Sequence, residues 1–172
     1  SRGLGDVYKR QTLTLDGVVY KTTGAQTYTA ATGAENIVIS SGGSNAVAIT
    51  TSGGNIGFAT SGVDLQTDET TTITSGGGTV SFGADLESGD GGNDDLLVIS
   101  SGAGYVTFTG AIGVTHELCG LDVNAATAGS GDITFSGNIG ATGGSAQPGV
   151  VGTTAIGTTT TENVHFAGSV YS

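Results

Sequence analysis

Tryptophan and methionine are absent from this 172-residue chain, and proline and cysteine occur once each. A single cysteine, Cys119, permits no internal disulfide, so the fold is not that of a disulfide-stapled secreted module. On its own it reads as a small core residue before it reads as a reactive thiol. No apolar run reaches the roughly 18 residues that a membrane-spanning helix requires. Positive charge is scarce: four Lys and Arg stand against 15 Asp and Glu, for a formal net charge of −11 and a pI near 4.1. That balance excludes a basic nucleic-acid footprint and opposes attraction to an anionic membrane. The basic start is not followed by the apolar stretch of about 7–15 residues that a signal peptide needs, because "QTLTLDGVVY" alternates. Any export signal is therefore expected outside this chain.

What is present is glycine, 33 residues of it, together with abundant threonine. Apolar residues make up 36% of the chain and charged ones 11%, which favours a chain that buries a core over a solvated, disordered one. Collagen is excluded, since glycine does not recur at every third position and proline is nearly missing. Small and β-branched residues dominate where helix formers would be needed, so the composition is that of a β protein.

A repeat organises the sequence. Each of the five phenylalanines follows a β-branched residue by two positions: Ile56/Phe58, Val80/Phe82, Val106/Phe108, Ile133/Phe135 and Val164/Phe166. Four positions beyond the ring comes an aliphatic residue in four copies (Leu86, Ile112, Ile139, Val170), and five beyond it in the first (Val63). A second strand signature leads each ring by 9 to 12 residues, at Ile49, Ile73, Ile99, Val123 and Ile156. Between the two lies Gly/Ser punctuation such as "TSGGN", "SGGGT" and "SGAGY", which supplies turns. The unit reads as strand, turn, strand, corner, with Gly83, Gly110, Gly137 and Gly168 marking a bend or a close backbone approach after the ring.

The rings are 24, 26, 27 and 31 residues apart, and a unit of that size cannot bury its own apolar face. Like side chains must stack on like, coil upon coil. The expectation is a parallel β-solenoid of about five to six coils, a column only about 25–30 Å tall at the usual strand spacing. No polar cap is evident at either end, which predicts that neighbouring coils flank the segment in the intact protein. The longest corners, "ESGDGGNDD" before Leu96 and "ATGGSAQPGV" before Val151, would decorate one side of the column.

The run from Thr22 to Gly43, "TTGAQTYTAATGAENIVISSGG", and the segments "GGTVSFGADL", "YVTFTGAIG" and "LCGLDVNAATAGSGDITFSGNIG" resemble the repeats of large bacterial filamentous-haemagglutinin-like and autotransporter adhesins. The likeness rests on a T-x-G-x-Q-x-Y segment (Thr22, Gly24, Gln26, Tyr28) alternating with G-x-I-T-F-x-G-x-I segments (Gly131 to Ile139), and extends over about residues 12–170. The resemblance implies a right-handed parallel β-helix, exported and displayed at the cell surface, associated with the outer membrane, as part of a long rod. The amino-terminal secretion domain and carboxy-terminal barrel of that family have no counterpart in these residues.

Chemistry-bearing candidates are few. "GDGGNDDLL" resembles the calcium-binding nonapeptide of secreted toxin repeats, and Asp90, Asp94 and Asp95 carry the hard oxygen donors that calcium prefers. That motif works as a tandem array, and one degenerate copy reads first as a solvated loop. Asp64, Asp68 and Glu69 read as a solvated corner. Polysaccharide lyases and hydrolases on β-helices, including tailspike-like ones, need clustered acids or a cation at the reacting centre, and beyond residue 11 Lys21 is the only Lys or Arg. His116 and His165 lack a partner at metal-ligand spacing, and His165 is expected to face outward. An ice-binding threonine ladder needs strict register, which "TTTIT" and "VTF" are not expected to keep.

The reading that follows is a single solenoid segment over residues 12–172, part of a longer rod and without catalytic residues, cofactor or resident metal. Its role is attachment to host, surface or cell ligands through corner loops, at the bacterial cell surface. A carbohydrate-active β-helix is the alternative, and an ice-binding or calcium-stabilised solenoid a further one. Arg2, Lys9 and Arg10 lie in a start that carries no repeat unit, and "GLGDVYKRQ" resembles a peptide of translated sequencing-adapter read-through. Residues 1–11 are thus expected to be a non-native or disordered leader.

Overall fold

The computed structural model describes residues 12–30, 36–43, 45–59, 61–67, 69–89, 95–125, 129–141 and 149–171. Among them there is no helix. Through β12 (Val106–Phe108) the chain winds through three parallel sheets in rotation, and after it alternates between the second and third. The first sheet holds β1 (Leu13–Leu15), β4 (Ile37–Ser40), β7 (Val63–Gln66) and β10 (Leu86–Ser88). The second holds β2 (Val19–Thr22), β5 (Val47–Thr51), β8 (Thr70–Thr74), β11 (Leu96–Ser100), β13 (Gly120–Val123) and β15 (Thr154–Ile156). The third holds β3 (Gln26–Thr29), β6 (Ile56–Ala59), β9 (Val80–Phe82), β12 (Val106–Phe108), β14 (Ile133–Phe135) and β16 (Val164–Phe166). Each strand pairs in parallel with its counterpart one turn away, so the architecture is a three-sided β-solenoid.

Four turns carry a strand on every side, fewer than the five to six coils expected. The last two turns keep the second and third sheets and touch the first only through isolated bridges, Leu86 to Ile112, Ile112 to Ile139 and Ile139 to Tyr171. The stretch read as a plain corner is therefore a third strand in the early turns. Segments such as "VDLQ" and "LES" place only two inward positions each, too few to display a period in the sequence.

Register explains why the repeat works. Ile49, Ile73, Ile99, Val123 and Ile156 face one another through successive ladders of the second sheet. On the third sheet the same holds for Ile56, Val80, Val106, Ile133 and Val164. Coil lengths differ, yet the strands never slip, because the extra residues are absorbed in the corners. The first copy's added residue places Val63 beside Leu86. In the last copy Tyr171, not Val170, falls opposite Ile139, since Asn138 Oδ1 accepts from both Ser169 N (2.9 Å) and Val170 N (3.3 Å) and stretches that corner by one residue.

The rings form one stack. Phe58, Phe82, Phe108 and Phe135 are at most 1% exposed, and centroids along the series Tyr28, Phe58, Phe82, Phe108, Phe135, Phe166 are 4.9–5.2 Å apart with interplanar angles of 4–17°. Aromatic contacts at that separation add to the burial of each ring. Tyr28 belongs to the stack although Gln26, rather than a β-branched residue, precedes it by two.

The corner between the second and third sheets is sealed by hydroxyls that point inward. Thr51 and Ser75 donate to the carbonyls of Gly54 and Gly78, and Ser101 Oγ donates to Gly104 O (2.7 Å). In the next turn Asn124 takes over: its Oδ1 accepts from Ser101 N (2.8 Å) and its Nδ2 donates to Ser101 Oγ (2.8 Å). Asn124 has φ +56°, a left-handed conformation that asparagine tolerates better than most residues. Glycine is required at this corner by contact: a Cβ on Gly104 would lie 2.0 Å from the Gly78 carbonyl oxygen.

Candidate functional site

Asp95, the one of the three candidate loop carboxylates among the described residues, is 1% exposed and accepts three hydrogen bonds from protein donors. Its Oδ1 accepts from Thr67 N and Thr67 Oγ1, both at 2.9 Å, and its Oδ2 from Ser88 Oγ at 2.9 Å. Hydrogen bonds to a carboxylate are among the stronger kind, so Asp95 staples one turn to the previous one at the entry to β11. This corrects its placement among solvated loop carboxylates and leaves its oxygens directed into the protein. Asp90 and Asp94 lie outside the described residues, as do most of the two long corners. Among the described residues no group of three His, Cys, Asp or Glu could hold a metal ion.

The remaining candidates are dispersed. Asp64 is on β7, not in a corner, and its Oδ1 accepts from Asn36 Nδ2 (2.6 Å). Glu69 is exposed in the turn before β8, and Asp68 lies outside the described residues. His116 is exposed, and its backbone N–H donates to Glu87 Oε2 (2.9 Å). Glu87 also accepts from Val114 N (3.2 Å) and Thr115 N (3.0 Å), so this carboxylate holds the loop after the fourth turn. His165 is exposed at an outward position opposite Thr134, as expected. Cys119 is free and half-buried, and its N–H donates to Asp95 O (3.0 Å).

The outward face of the third sheet keeps strict register, contrary to the reading of its threonines. Thr27, Gly57, Ser81, Thr107, Thr134 and His165 form one column. Gly57 and His165 interrupt it, so the hydroxyls do not run unbroken from end to end.

A polar layer, which the sequence reading missed, closes the first described turn. At the inward positions filled below by Ile49, Ile56 and Phe58 stand Tyr20, Gln26 and Tyr28. Gln26 is 8% exposed; its Nε2 donates to Thr50 O (3.0 Å) and Thr22 Oγ1 (3.1 Å), and its Oε1 accepts from the Tyr28 hydroxyl (2.6 Å). Tyr20 in turn accepts from Gly17 N (2.6 Å). Burial, aided by the neighbouring Tyr20, pushes the Tyr28 phenol up to about 12. Beside this layer is a cavity of about 370 Å³ lined by Tyr20, Lys21, Thr22, Gln26, Thr27 and Tyr28. The available signal was the T-x-G-x-Q-x-Y segment itself, where polar residues take the places that the repeat assigns to apolar ones.

Among the described residues, the side chains that recur from turn to turn are spent on the core and corners, while the outward groups with reactive chemistry are single and separate. Comparison of the chain with protein-family models, curated proteins and solved structures finds no match.

Proposed function

We propose that this chain is a structural and interaction segment of a secreted or cell-surface bacterial adhesin, a length of rod that carries corner loops to host, surface or cell ligands. One observation supports it above the others. The repeat residues of the second and third sheets stack in register through all six strands of each, and variation in length falls in the corners between strands without shifting those two ladders. A scaffold of that kind can change its loops without cost to its core. The resemblance to adhesin repeats points the same way, and in this reading further coils of the parent protein continue the rod. No catalytic residue or cofactor takes part.

The test is adherence. Beads coated with the 172-residue chain are expected to bind cultured cells or immobilised glycans, and to lose that binding when residues 90–94 or 142–148 are replaced by short Gly/Ser turns. Depolymerisation of a glycan panel by the chain, with no adherence, would establish the carbohydrate-active alternative instead.

A further inference from the structure

We draw no further inference here: the strongest candidate, the outward face of the third sheet with the exposed Tyr105 beside the in-register column of Ser81, Thr107 and Thr134, carries nothing because it is one ring beside a stripe of small residues and nothing in the structure shows what covers it.

Discussion

Replacing Phe108 with alanine disrupts the middle of the ring stack, and its cost can be worked out from its surroundings. The side chain is 1% exposed, with Phe82 at 5.0 Å on one side and Phe135 at 4.9 Å on the other. The neighbouring rings are anchored by their own ladders and cannot close the gap, so the substitution loses the transfer free energy of a buried ring and leaves a cavity, together about 3–5 kcal/mol. In a chain of this size that lowers the melting temperature by about 6–20 °C. Phe166 offers an internal comparison, since it stacks on one ring only along the column and is 44% exposed. Its replacement by alanine should cost about 1–2 kcal/mol. The position in the column matters as well: in a one-dimensional array a defect in the middle uncouples the turns on both sides, whereas one at the end only frays it. Chemical denaturation of both variants, read by far-ultraviolet circular dichroism, makes the comparison. A cost below about 1 kcal/mol for Phe108→Ala, or equal costs for the two, would refute the stacked core.

Other substitutions probe the corners and the staple. Gly104→Ala forces a methyl against the Gly78 carbonyl and is expected to destabilise by about 2–4 kcal/mol, whereas Gly24→Ala meets nothing within 4 Å and should stay within about 0.5 kcal/mol of the parent in denaturant melts. Ser101→Ala removes the donor to Gly104 O and strands Asn124 Nδ2, for a loss of about 1–3 kcal/mol. Thr71 is the opposite case: its buried Oγ1 has no hydrogen-bond partner, so Thr71→Val should raise stability by about 1 kcal/mol in the same melts. Asp95→Ala removes the carboxylate to which Thr67 N, Thr67 Oγ1 and Ser88 Oγ donate and should cost about 2–4 kcal/mol, equally with and without millimolar calcium. A calcium-dependent melting temperature that is lost in this variant would instead mark Asp95 as part of a cation site.

The core columns were legible in the sequence because burial imposes a strict rule on them. An inward position at the centre of a turn can be filled only by a residue that stacks on its copy above, so Phe82, Phe108 and Phe135 recur with Val80, Val106 and Ile133 two places earlier. The third strand was not legible, since two inward residues carry no period. Nor was the role of the corner hydroxyls: Ser75 and Ser101 look like ordinary turn residues until the winding turns them inward onto glycine carbonyls. Asp95 misled for a related reason. Among Gly, Asn and Asp neighbours it has the composition of a solvated loop, and only the meeting of Thr67 and Ser88 from different points of the winding makes it a buried acceptor. The polar layer of Tyr20, Gln26 and Tyr28 was visible as a motif, but its place at a turn's interior depended on the register with Ile49, Ile56 and Phe58.

The measurement that bears most directly on the column is a nuclear Overhauser spectrum of the chain with its five phenylalanines ring-labelled. The account predicts ring-to-ring contacts for each consecutive pair, Phe58 with Phe82, Phe82 with Phe108, Phe108 with Phe135 and Phe135 with Phe166, and none that skip a turn. Rings without mutual contacts, or a contact between Phe58 and Phe108, would contradict it.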